Sequence, residues 1–154
     1  MVETERKFLI QGSYKDLSVK KKEIRQAFLN SDPDRSVRVR IADKEAYLTI
    51  KGKLKNDGMS RFEFEKEISY SEAIQLMQIA ESDPIEKTRH YITFNKHMIE
   101  VDEFHGKNSG LILAEIEISL KEELTDLPEW IGEEVTGDLK YYNVFLSQKP
   151  YTEW

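Results

Sequence analysis

The chain has 154 residues, 39% of them hydrophobic and 34% charged, and carries a net charge of −6. That length suits one domain with a core of its own, and the acidic balance, with no basic stripe, argues against a nucleic-acid partner. Cysteine is absent, which excludes disulfides, zinc–thiolate sites and cysteine nucleophiles.

No apolar run is long enough to cross a bilayer, so no membrane partner is expected. Charge begins at Glu3 and recurs through Lys7, which leaves no signal-peptide core; a cytoplasmic location is the expectation.

The first element is VETERKFLI, Val2–Ile10, whose strict alternation is the period of a β-strand. EIRQAFL (Glu23–Leu29) is a second strand, and NSDPD turns the chain. RSVRVRI (Arg35–Ile41) and EAYLTIKG (Glu45–Gly52) flank a short polar break and form a hairpin. KNDGM is a loop leading into the strand SRFEFEKEI, Ser60–Ile68. SEAIQLMQIAES (Ser71–Ser82) reads as a helix, with Ser71 as its cap and an apolar stripe through Ile74, Leu76, Met77 and Ile79. IEKTRHYITF (Ile85–Phe94) and HMIEVDEF (His97–Phe104) make another hairpin across Asn95–Lys96. LILAEIEISL (Leu111–Leu120) is the last strand. The remaining tail reads as short helices, with DLKYYNVFLSQ (Asp138–Gln148) the clearest.

About eight strands in sequence, joined by short loops, pair antiparallel into a sandwich or a barrel. One face of these strands is almost purely ionic. It collects Glu3, Glu5 and Lys7; Arg38 and Arg40; Thr49 and Lys51; Arg61, Glu63, Glu65 and Glu67; Lys87, Arg89 and Tyr91; Glu100 and Asp102; Glu115 and Glu117. A solvated sheet face is the ordinary reading of such a pattern. Two features pull toward an enclosed lumen. Ser, Thr and Asn are scarce on this face, and the charge segregates by strand, the third, fourth and sixth being basic and the eighth acidic. Buried charges must be paired or hold ions. A polyphosphate with a divalent cation satisfies both walls, since carboxylates hold Mg²⁺ or Mn²⁺ and Arg and Lys hold phosphate oxygens. The apolar faces then point outward, under helices or a partner subunit, and a homodimer is plausible.

The pattern Glu3-Thr-Glu5-Arg-Lys7 resembles the ExExK signature of the CYTH superfamily, the triphosphate tunnel metalloenzymes. ERKFLI, IRQAFL, VRVRI, LTIKG, SRFEFEKEI, IEKTRHY, EVDEF, AEIEI and GEEVTGDLKYYN each resemble a family block, in order, along nearly the full chain. The resemblance implies a mainly β, α+β fold: an eight-stranded antiparallel closed tunnel barrel with flanking helices, formed by a single CYTH domain over 1–154. It implies an enzyme acting on triphosphate with Mg²⁺ or Mn²⁺. A triphosphatase acting on inorganic triphosphate or a nucleoside triphosphate such as ATP is the first expectation. A class IV adenylate cyclase, or a non-catalytic polyphosphate-binding or nucleotide-binding protein, is the alternative.

The family likeness makes Glu3, Glu5, Glu115 and Glu117 metal ligands, with Asp102, and also Glu63 and Glu65, toward a second metal or ordered water. It makes Lys7, Arg25, Arg38, Arg40, Lys51, Arg61 and Arg89 phosphate contacts, alongside Glu63 and Glu65 in the substrate site and Lys140 on a helix lining the tunnel. Lys87 takes a catalytic, proton-removing role if Arg89 and burial lower its pKa. Phe28 departs from the tyrosine that triphosphatase relatives often carry as partner of that lysine, and a phenyl ring donates no hydrogen bond. Tyr91, or a water held by the metal, is left to take its place.

Other conspicuous residues have ordinary readings. His90, His97 and His105 are scattered over opposite faces, and Trp130 and Trp154 suit packing. Phe8, Phe62 and Phe64 fall on the outer face beneath helices. Lys20–Lys22 reads as a solvated turn, and Glu122–Glu123 and Glu133–Glu134 as surface charge.

Overall fold

The computed structural model describes residues 2–119 and 122–154. Among them are nine strands and two α-helices: β1 (Val2–Ile10), β2 (Lys20–Asn30), β3 (Arg35–Ala42), β4 (Glu45–Gly52), β5 (Ser60–Ile68), α1 (Tyr70–Met77), β6 (Ile85–Phe94), β7 (His97–Phe104), β8 (Ile112–Glu117), β9 (Ile131–Glu134) and α2 (Asn143–Gln148). Strands β5-β4-β3-β2-β6-β7-β8-β1 run antiparallel in that order, and β1 pairs back to β5. The ring is a closed eight-stranded barrel, as the family likeness implies.

β1 is the closing stave. One of its edges pairs with β8 from Glu5 to Leu9. Its other edge is shared: Val2, Glu3 and Thr4 face Phe62, Arg61 and Ser60 of β5, while Phe8 and Ile10 face β9. The Thr4 and Ser60 hydroxyls, both buried, sit 2.7 Å apart at this seam. Turns elsewhere are local. Asp43 and Asn95 take positive φ (53° and 54°) at the β3–β4 and β6–β7 hairpins, a conformation short polar side chains tolerate.

Hydrophobic packing lies mostly outside the ring. Phe8, Ile92, Ile99, Val101, Ala114 and Ile116 point outward and are covered by Tyr14, Trp130 and Ile131. Val39, Ile41 and Ala46 pack under Ala73 of α1. A third cluster lies within. Leu9, Ile85, Phe104 and Leu113 occupy the next inward-facing positions beyond Lys7, Lys87, Asp102 and Glu115. Leu146 of α2 and Val135 fill the space between them. The lumen is therefore ionic along one length and apolar at one end.

Five expectations need correction. β2 begins at Lys20, so Lys20–Lys22 is strand paired with β6 rather than a turn. Helix α1 is capped by Ser69, which accepts from Glu72 N in a capping box, and it ends at Met77. Ser71 thus lies inside the first turn, and the run to Ser82, where Ile79 is exposed rather than packed, lacks the contacts to stay helical. Phe62 and Phe64 are 50% and 45% exposed, with no helix over them. The last strand is shorter than expected, and the expected end at Leu120 lies outside the described residues. The tail holds a strand, β9, because IGEE meets the free half of β1's edge, a pairing that no local pattern reveals. Among the described residues no helix is long and apolar enough to cross a membrane.

The cap assignment is directly testable. Ser69→Ala should lower stability by about 1 kcal/mol in urea unfolding, whereas Ser71→Ala should leave it near the parental value. The reverse order would place the helix start where the sequence pattern alone put it.

Candidate active site

Alternation along each strand decides which side chains enter the lumen. All eight barrel strands, with residues 142–144 of the tail, line one cavity of about 820 Å³. β1 contributes Glu3, Glu5 and Lys7. Across the β1–β8 ladder Glu5 stands opposite Glu117 and Lys7 opposite Glu115, and Glu100 of β7 stands opposite Glu115. This is the carboxylate side. β3 supplies Arg38 and Arg40, β4 Thr49 and Lys51, and β5 Arg61, Glu63 and Glu65.

Several charges are paired. Lys7 Nζ lies 2.6 Å from Glu115 Oε1, and Lys51 Nζ lies 2.7 Å from Glu3 Oε2. Arg89 grips Asp102 as a fork, Nε to Oδ1 at 2.7 Å and Nη2 to Oδ2 at 2.8 Å, while its Nη1 reaches Glu100. Burial alone would raise the Asp102 pKa, but Arg89 and Lys87 outweigh it and hold the carboxyl well below its usual range. Lys7 shows the converse. Its burial is outweighed by Glu115 and Glu5, which hold its pKa above the usual lysine value.

Other charges are left short. Arg38 is 8% exposed, its nearest carboxylate is Glu65 at 3.9 Å, and its Nε is buried without a partner. Burial, then Arg40 and Arg89, lower its pKa to about 9. Arg40 is pushed the same way by burial and Arg89. On the opposite side, burial and the neighbouring Glu115 raise Glu5 to about 7 against the pull of Lys7. Positive charge is thus in excess around Arg38 and Arg40, and negative charge around Glu5, whose nearest cation, Lys7 at 3.8 Å, is drawn closer to Glu115.

Of the residues singled out in the sequence, Glu3, Glu5, Glu115, Glu117, Lys7, Arg38, Arg40, Lys51, Arg61, Glu63, Glu65 and Arg89 border the cavity together. Four do not. Arg25 is exposed on the outer face of β2, where its guanidinium meets Met77, because Gln26 and Phe28 hold the inward positions. Lys140 is exposed and stacks over Tyr141 and Trp154. Asp102 and Lys87, each 1% exposed, lie beneath the lining. Lys87 Nζ is held by Asp102 Oδ2 at 2.7 Å and Asn143 Oδ1 at 3.2 Å, and burial lowers its pKa to about 7 despite Asp102. Tyr91 is also outside the lining, with Lys20 over its ring.

The chain matches the CYTH domain over residues 1–148. It belongs to the CYTH family. An inorganic triphosphatase of Acetivibrio thermocellus is 43% identical over 151 residues, covering 97% of this chain and 95% of that protein. An inorganic triphosphatase of Nitrosomonas europaea is 34% identical over 152 residues, 96% of this chain and 97% of that protein. The crystal structure of the inorganic triphosphatase NE1496 superposes with a TM-score of 0.68 at 31% identity, over 94% of this chain and 93% of that one. CYTH triphosphatases are metal-dependent.

Sequence reading missed part of this CYTH site. Glu100 shares its parity with Asp102 and was legible as a charged lumen residue, yet its salt bridge to Arg89 appears only once β6 and β7 pair. Tyr142 had no such signal. It is 7% exposed, and Lys7 Nζ and the Arg61 guanidinium lie 5.0 and 5.3 Å from its ring centre. Its entry into the lumen depends on a non-strand tail folding back.

The donors fit a hard divalent cation in kind, being carboxylate oxygens, among which burial and Glu115 disfavour the charge on Glu5 despite Lys7. Among the described residues no three acids or imidazoles converge into a ready metal cage. A hard cation here would complete its shell with oxygens from outside the protein, as Mg²⁺ commonly does.

Glu5 gives a stability test. Its folded pKa is raised from 4.5 to about 7, so the fold favours the protonated form, and ionisation above about pH 7 is penalised. In metal-free protein, Glu5→Gln should exceed the parent in stability by about 3 kcal/mol at pH 8, with the gap closing toward pH 4.5. Denaturant titrations showing equal stability at pH 8 would contradict the placement of Glu5 in a desolvated acidic cluster.

Proposed function

We propose that this protein hydrolyses inorganic triphosphate to pyrophosphate and orthophosphate with the aid of Mg²⁺ or Mn²⁺. One observation carries the reading: Arg38 and Arg40 stand on one wall of a buried cavity, beside each other and the acid-paired Arg89, with too few acids of their own to neutralise them. A compact polyanion resolves that repulsion. The likeness to inorganic triphosphatases across nearly the whole chain supports the same substrate class.

In this reading Arg38, Arg40, Lys51, Arg61 and Lys7 bind phosphate oxygens, with Arg38 and Arg40 gaining most because they are least paired. Glu3, Glu5, Glu115 and Glu117 would hold the cation. When bound, it neutralises phosphate charge and polarises the attacking water. Glu65 and Glu63 orient the basic wall through Thr49 Oγ1, which donates to Glu65 at 2.8 Å, and Lys51, 3.9 Å from Glu63. Asp102 is saturated by Arg89 and Lys87, so we assign it to positioning Arg89 rather than to a metal. Lys87, sealed below the lining, supports that array as a buried charge. Phosphoryl transfer needs little more than such placement and charge neutralisation.

The deciding assay incubates the protein with inorganic triphosphate and with ATP across several divalent cations. Phosphate release from triphosphate that stops on chelation is expected. Cyclic AMP from ATP would make the protein a cyclase instead, and tight binding without product would make it a binding protein. Glu5→Gln and Glu117→Gln should each abolish cation-dependent turnover while the circular dichroism stays parental. Full activity in both would remove the metal assignment.

A further inference from the structure

Asn143, the first residue of α2, borders the cavity at its apolar end. Its Oδ1 accepts two hydrogen bonds, from Gln26 Nε2 at 2.7 Å and Lys87 Nζ at 3.2 Å. Both partners are sealed from solvent, Gln26 at 0% and Lys87 at 1% exposure. The orientation of Gln26 is fixed in turn, because its Oε1 accepts from Arg40 Nε at 3.0 Å. An ammonium has no lone pair to offer, so Lys87 demands an oxygen at this point. The Asn143 amide therefore cannot rotate without stranding two buried donors. Its Nδ2 finds no acceptor among the described residues, and Asn143 is itself a cavity-lining residue, so with Oδ1 held by Gln26 and Lys87 the free amide hydrogens are available to the cavity.

We propose that Asn143 is a substrate-contacting residue, donating its Nδ2–H to a terminal phosphate oxygen at the closed end of the cavity. The proposal rests on the triphosphatase reading and deepens it. The geometry suits a neutral donor. Arg40 and Lys87 already stand on either side of the amide, and a further cation there would add to a repulsion the wall barely sustains. A fixed amide adds a hydrogen bond without charge and needs no reorganisation when negative charge grows on the phosphate. The apolar cluster of Ile85, Phe104, Leu113 and Leu146 lies behind it, so the donor works in a poorly hydrated setting where such bonds are strong. Phe28 borders the same cavity without a polar atom, which leaves this amide as the neutral donor that the inward face of β2 does not provide.

Three size-related variants separate substrate contact from mere support. Asn143→Asp keeps an oxygen for Gln26 and Lys87 but turns the cavity-facing donor into an anion. Asn143→Leu removes both functions, and Asn143→Ala removes them without bulk. We expect Asn143→Asp to lose on the order of 100-fold or more in kcat, and the other two on the order of 10- to 100-fold. The Asp variant should keep a parental Tm, since its buried partners stay satisfied. Parental turnover in Asn143→Asp would overturn the proposal, because it would show that Oδ1 alone matters. Parental turnover in Asn143→Ala would overturn it as well. The same variants are titrated with triphosphate by calorimetry. A parent protein that binds triphosphate without cleaving it defeats the hydrolase reading, and the contact then stands or falls on whether Asn143→Asp weakens that binding.

Discussion

The structure depends on confining opposite charges inside a ring that excludes bulk water. Removing an ion from water costs far more than any exposed pair returns, so each lumen charge must find a partner in the ring or in a ligand. Lys7 with Glu115, Lys51 with Glu3, and Arg89 with Asp102 meet that demand internally. Arg38 and Arg40 do so only weakly, and Glu5 shares Lys7 with the nearer Glu115. On the proposed function, a bound ligand would answer this unneutralised remainder. Its positive part lies on β3 and its negative part on the β1–β8 side, so a bound polyanion and its cation would be drawn to opposite walls. That separation exists only while β1 closes onto β5, and the closure uses just Val2, Glu3 and Thr4.

An ionic lumen displaces the hydrophobic core to the outside of the barrel. Outward residues of β1, β6, β7 and β8 must then be covered from elsewhere in the chain, and the loop bearing Tyr14 and the tail bearing Trp130 and Ile131 cover them. Helix α1 does the same for β3 and β4. The tail has a second task, because Leu146 and Val135 seal the inner end that the strand residues alone leave open. One segment thus supplies outer cover, inner plug and the cavity residues Tyr142 and Asn143. Loss of the tail would expose core and open the lumen together, so stability and site geometry are coupled through α2.

The strands were legible because alternation is a local property. VETERKFLI, RSVRVRI and AEIEI each declare a charged face and an apolar face without outside information. Whether the charged face looked inward was not local; the scarcity of Ser, Thr and Asn and the segregation of charge by strand pointed to a lumen, and the family resemblance tipped wet sheet toward barrel. Parity also placed twelve of the candidate residues on the cavity, from Glu3 to Glu117. It failed where chain geometry intervened. Arg25 has the residue type of a phosphate ligand but the parity of the outer face, which its neighbours Gln26 and Phe28 reveal once β2 is paired. Lys140 is a lumen cation only by the family likeness of DLKYYN, which puts a basic residue on a helix lining the tunnel. The tail instead turns at Leu139–Tyr141 and presents Tyr142 and Asn143 in its place. Asp102 had the right parity, but its capture by two cations could not be read from spacing alone.

The floor of the cavity ties a buried cation to its walls. Phe28, 4% exposed, lines the cavity without a polar atom. The Lys87 ammonium is shared between a carboxylate and an amide, Asp102 and Asn143. Both of these are tied onward to arginines of the cavity wall, Asp102 directly to Arg89 and Asn143 through Gln26 to Arg40. The buried lysine therefore sits at the middle of a chain of contacts whose ends are two cavity-lining guanidiniums. Burial and the arginines lower its proton affinity while Asp102 sustains it, so its charge is poised between the two influences. An anion arriving at Arg40 and Arg89 adds to the Asp102 side of that balance. In this architecture a lysine that never touches the cavity can still answer to what occupies it.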